Sequence, residues 1–144
     1  VSATSARAAT HREKALRRWA HWYRRVFPAY AIFLFASTHL PRLRGPDIPA
    51  SDKVMHLLAF GGLTFLFWRF CETFESRLSS SFVWAATPAL IAWAAFDEYT
   101  QQFVYRGTDW ADFIADTMGI LLVTAFMEWR RRVRVAATAA MTQA

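Results

Sequence analysis

Five carboxylates and one arginine fall within a short stretch of an otherwise apolar chain: Asp97, Glu98, Arg106, Asp109, Asp112 and Asp116. Upstream, Asp52, Lys53 and His56 form a second polar group, and Gln101 adds an amide just after Glu98. These residue types support three kinds of chemistry. Glu98 against His56 could supply a general acid and base if their surroundings drew their proton affinities apart. His56, Glu98, Asp112 and Asp116 offer donors that suit Mn, Zn or Mg, although no dedicated spacing such as H-x-x-x-H surrounds them. Lys53, His56 and Arg106 could hold a phosphate while the acids take amines or sugar hydroxyls. No G-x-S-x-G or comparable nucleophile element accompanies them, so no catalytic residue is expected, and without a dedicated ligand spacing neither is a metal or cofactor. The cluster then reads either as a binding site or as a polar clamp that fixes helix register.

Spacing organises these residues further. On helices, Asp52 and His56 lie at i and i+4, as do Asp112 and Asp116, while Glu98 and Gln101 lie at i and i+3, so each pair shares a face. Two acids at i, i+4 repel unless a cation compensates them, and the planar fork of Arg106 is the favoured partner over Lys53 or protonated His56. Taken alone, His56 is expected at a helix surface bonded to Asp52. Asp109 or Thr108 is placed to cap the last helix, with Asp112 in its first turn where the helix dipole favours an anion.

What must position them is a set of membrane helices. Of 144 residues, 55% are hydrophobic and 17% aromatic, too apolar for an ordinary water-soluble domain and enough for one compact unit. Four apolar segments are expected as spans: 26–40, 54–70, 82–96 with an extension to 104, and 113–129. Pro28 is placed in an opening turn, whereas Pro88 falls inside the third segment and should kink it. Residues 41–49, rich in Pro, Arg and Gly, cannot be helical, and Ser79–Ser81 marks a turn. Gly61, Gly62 and Gly119 read as close-packing points, and Trp68, Trp84, Trp93, Trp110 and Trp129 as a lipid-facing and interfacial belt.

The net charge of +6 lies outside the apolar spans, which argues for topology and anionic lipid rather than nucleic acid. Residues 11–25 place Leu16, Trp19, Ala20 and Tyr23 at helical spacing among arginines, either as an amphipathic interfacial helix or as a basic extension of the first span. Residues 1–10 and the stretch beyond 136 read as weakly ordered tails. The organisation expected is thus a tail over 1–10, a basic amphipathic helix over 11–25, a four-span domain over 26–129 and a basic, then Ala/Thr-rich tail over 130–144. Arginines at both ends put both termini in the cytoplasm, so the fold is an all-α integral membrane protein, an up-down-up-down four-helix bundle with its polar cluster at the outer face. No cleavable signal is expected. Cys71 is a lone, inert thiol.

The ordered set Asp52-Lys53-x-x-His56, Phe60-x-x-Leu63, Glu98-x-x-Gln101, Arg106, Asp109-x-x-Asp112 and Asp116-x-x-Gly119 resembles the signature of VanZ-like membrane proteins, over roughly 26–126. Asp116 stands where that pattern usually carries Asn, and Arg106 follows Glu98 after a slightly shorter interval than in many relatives. The resemblance implies a bacterial inner membrane, and kinship with a protein associated with resistance to the glycopeptide antibiotic teicoplanin. Two functions are then expected. One is the binding or handling of an envelope lipid or cell-wall component, with membrane lipids as partners; the other is a non-catalytic accessory subunit docked on a larger membrane complex. Neither role requires catalysis, so an enzyme is the less expected reading.

Overall fold

A computed structural model of the chain describes residues 3–40, 49–74, 78–104 and 109–143, with side chains over 18–40, 52–74, 78–104 and 109–141. The described residues form four helices and no strand: α1 (Ala3–Thr38), α2 (Pro49–Cys71), α3 (Ser80–Gln101), followed by a 3-10 turn (Gln102–Val104), and α4 (Trp110–Gln143). Local chemistry sets the starts. Pro49 opens α2, where a missing N–H removes no helical bond. The Ser79 hydroxyl accepts from the Phe82 amide at 3.1 Å and caps α3. Asp109 caps α4, its side chain accepting from the Ala111 amide at 2.8 Å and its carbonyl from the Asp112 and Phe113 amides. Asp112 follows in the first turn, where the dipole favours it.

Two expectations about the ends are revised. α1 is continuous from Ala3 to Thr38, so residues 11–25 take the second form expected of them, an extension of the first apolar segment, residues 3–10 are helical rather than a loose tail, and Pro28 lies well inside the helix rather than in an opening turn. α4 likewise continues through the Ala-rich end to Gln143. Alanine and arginine are strong helix formers, and both ends consist largely of them and of small residues that do not break a helix.

The helices alternate in direction. The starts of α2 and α4 meet, as do the ends of α1 and α3, and Ser80 at the start of α3 reaches Glu128 far along α4. The widest contact is between the parallel helices α2 and α4. It depends on glycine: a Cβ on Gly119 would collide with the Leu57 carbonyl and lie 3.0 Å from the Gly61 nitrogen. Backbones can approach that closely only without side chains between them. Gly62 leaves room for the Tyr30 hydroxyl, which donates to the Ala59 carbonyl at 3.0 Å and joins α1 to α2. The core contains Leu34, Phe60, Leu63, Trp68, Val83, Leu90, Ala94, Ile120 and Met127. Trp68 therefore belongs to the interior and not to the aromatic belt; it is 1% exposed and its indole N–H points to the Thr124 hydroxyl at 3.4 Å.

Large apolar side chains stand exposed on all four helices, among them Ile32, Phe33, Leu58, Trp84, Phe96 and Leu122, while Thr64, Thr87, Asp97 and Asp116 are buried. Exposed apolar side chains in such number mark faces that meet a membrane or a partner protein. Among the described residues, two stretches are long and apolar enough to cross a membrane, Asp52–Cys71 and Trp110–Met141. The arginines of α1, and the tryptophans, Pro88 and terminal acids of α3, leave those helices less apolar.

Candidate functional site

Helix alternation collects the polar residues of the sequence at one end of the bundle. α2 contributes Asp52, Lys53 and His56 from its first turns, α3 contributes Asp97, Glu98 and Gln101 from its last, and α4 contributes Asp109, Asp112 and Asp116. Most are deeply buried: His56 is 8% exposed, Glu98 6%, Gln101 3%, Asp112 3%, Asp97 1% and Asp116 0%. Arg106, expected as the main counter-cation, lies outside the described residues.

The contacts divide into two linked groups. In the first, Lys53 donates to Asp109 at 2.5 Å and to Asp112, tying the start of α2 to the start of α4. His56 Nδ1 lies 3.0 Å from Asp116 Oδ1, and His56 Nε2 lies 3.6 Å from Asp112 Oδ2. His56 is thus an interior residue directed at α4, not a surface residue held by Asp52, because its position on the face of α2 turned toward α4 puts two acids around the ring. One donor atom each from Asp52, His56 and Asp112 lies within 4.8 Å of the others.

In the second group, Glu98 accepts from the Asp109 amide at 2.5 Å, and the Gln101 amide donates to Glu98 at 3.3 Å and to Asp97 at 3.1 Å. Asp97 also accepts from the Thr38 hydroxyl at 2.9 Å. His39 extends this group: its Nδ1 donates to the Phe35 carbonyl at 2.7 Å, which leaves Nε2 facing the Thr100 hydroxyl at 2.9 Å. Thr38 and His39 are absent from the set expected from sequence. The signal was available, since a polar pair closing an apolar run, two helices before Asp97, must lie at the same membrane face.

One atom stands out chemically. Of the two buried side-chain atoms without a hydrogen-bond partner among the described residues, Thr117 Oγ1 and Asp116 Oδ2, the carboxylate oxygen is the costlier, at about 1–3 kcal/mol or more. The cluster as a whole holds more carboxylates than described cations, in a low-dielectric interior where a buried carboxylate favours a positive or donor-bearing neighbour.

The motifs on which the polar set rests, in their order and on these helices, agree with the match to a known family: the VanZ/LLP1 family model covers residues 5–131. The chain belongs to the VanZ/LLP1 family. No curated protein and no solved structure matches it. Within this VanZ/LLP1 chain the matched region spans all four helices, and every described polar residue of the cluster falls inside it.

Proposed function

We propose that this VanZ/LLP1 protein binds the polar headgroup of an envelope lipid or lipid-linked cell-wall component at the acidic end of its bundle. The observation that carries the reading is Asp116, wholly buried with one carboxylate oxygen unpaired. A cluster built only to fix register gains from complete internal pairing, whereas one built to receive a ligand keeps an acceptor for it. An apolar groove of about 380 Å³ supports the choice of an amphiphile. It runs between α2 and α4 past Leu57, Gly61, Phe65, Gly119 and Phe126, and Leu57 directly follows His56. A headgroup at His56 and Asp116 would leave its chain beside this groove.

In this reading all four helices cross a bacterial inner membrane. Their shared alternation and apolar exteriors support that, and the arginines at both ends support cytoplasmic termini with the acidic end outside. The acids take amines or hydroxyls, and Lys53 and His56 supply the positive side of the cluster. No bond is made or broken in this role. A second reading is favoured by the exposed aromatics Trp84, Trp110 and Trp129: an accessory subunit that docks these side chains on a larger membrane complex.

Mass spectrometry of the intact tagged protein, extracted from native membranes in mild detergent, separates the two. The headgroup reading expects about one enriched amphiphile per chain, lost on Glu98→Gln while the protein stays abundant. A stoichiometric protein partner without enriched lipid would replace it with the accessory-subunit reading.

A further inference from the structure

We infer that Asp52, His56 and Asp112 form a binding site for a transition-metal dication of the Mn2+ or Zn2+ class, with Asp116 as the positioning residue behind the imidazole. The argument starts from the histidine. Asp116 Oδ1 sits 3.0 Å from His56 Nδ1, and a carboxylate can only accept, so Nδ1 carries the hydrogen. With Nε2 deprotonated, as a metal ligand must be, the ring presents its lone pair there. That nitrogen faces Asp112 Oδ2 at 3.6 Å, too long for a hydrogen bond. It is close to the separation of two atoms on one cation: ligands held about 2.1 Å from a metal sit about 3–3.5 Å apart. Asp52 completes a set whose donor atoms lie within 4.8 Å of one another.

Two further observations point to a bound cation rather than to an acidic patch. A carboxylate behind a ligating imidazole is the usual means of fixing its tautomer and orientation. And Asp116, 0% exposed behind the ring, is a buried carboxylate that a dication held at Nε2 would stabilise through its field without touching it. Lys53 bonds the opposite oxygen, Oδ1, of Asp112, which fixes the edge that Oδ2 turns toward the ring. One nitrogen and two carboxylates suit Mn2+ or Zn2+ better than an all-oxygen cation such as Ca2+. Three protein ligands leave coordination positions open. If the headgroup reading of the same site also holds, a phosphate oxygen would fill one of them; the metal site itself stands without it.

The test uses the full chain carrying a tag free of histidine, purified in mild detergent, stripped with chelator and titrated with Mn2+ alone, without added lipid. The expected result is saturable uptake of about one Mn2+ per chain, with nitrogen hyperfine coupling from a single imidazole. His56→Ala should abolish the coupling and weaken binding at least about 10-fold. Asp116→Asn should weaken binding about 10- to 100-fold while the coupling persists, a combination that mere loss of fold would not give. Melting curves in chelator report folding for each variant; if His56→Ala fails to fold, Asp52→Asn, at the start of α2, must show the loss of affinity instead. Absence of saturable Mn2+ and Zn2+ uptake by the wild-type chain, or uptake undiminished in folded His56→Ala or Asp52→Asn, overturns the inference. Because no lipid enters the titration, failure here leaves the headgroup reading to be judged by its own experiment.

Discussion

The two ends of the bundle each bury carboxylates, and they treat them in opposite ways. At the basic end, Glu128 is 6% exposed, and both its oxygens are occupied: Arg131 donates at 2.6 and 2.8 Å, Arg132 at 2.8 Å and Ser80 at 2.9 Å. Arg131 also donates to Ser80, so the start of α3 is fastened to α4 through one closed network. The cavity of about 280 Å³ beside it is lined by Trp68, Leu78, Val83 and Met127 and by the charged side chains of Glu72, Arg131 and Arg134. At the acidic end, Asp97, Glu98, Asp112 and Asp116 crowd together, and the most buried of them keeps an unpaired oxygen. A buried charge that is completely paired holds helices in place, while one left incomplete is costly and persists where a ligand completes it. Under the proposed function, the contrast separates a clamp from a site within a single molecule.

The change with the largest expected effect removes the geometry on which both ends depend. Gly119→Ala drives a methyl group into the Leu57 carbonyl, so α4 must withdraw from α2; a loss of about 3 kcal/mol in detergent unfolding is expected, with metal and lipid binding lost together. Retention of both would mean that the α2–α4 contact does not set the site. Lys53→Met comes next. It removes the ammonium that joins Asp109 to buried Asp112, and about 2 kcal/mol should be lost, with the loss confined to the acidic end in hydrogen exchange. The smallest effect belongs to Arg24, whose guanidinium donates to Thr73 at 3.0 and 2.8 Å and lies over Phe74 at an exposed site. Arg24→Ala should cost no more than about 0.5 kcal/mol and leave both ends intact.

Much of this contrast was legible in the chain itself. Asp52, Lys53 and His56 could be brought to Asp112 and Asp116 because apolar segments separated by breakers must alternate in direction, and Asp109 was readable as a cap because it precedes an apolar helix. The chain did not disclose which face of α2 carries His56, since a helix apolar nearly all round gives no periodic signal to orient it. For the same reason Trp68 could not be told from the tryptophans of the belt. Glu128 escaped notice beside Arg130, Arg131 and Arg132, where it reads as one charge in a basic arm; only packing against Ser80 makes it the centre of a network. Thr38 and His39 were overlooked for a different reason, because alternation was applied to the later helices and not to the end of α1.

The central claim, that the acidic end is a site and the basic end a clamp, is tested most directly by melting two neutralised variants in detergent after chelation and removal of lipid. Glu128→Gln should lose about 2 kcal/mol, because it abandons Arg131 and Arg132. Asp116→Asn should be as stable as the wild type or more stable by about 1 kcal/mol, since it discharges a buried carboxylate with an unpaired oxygen while keeping an acceptor for His56. A fall for Asp116→Asn as large as that for Glu128→Gln would contradict the account and make both ends clamps.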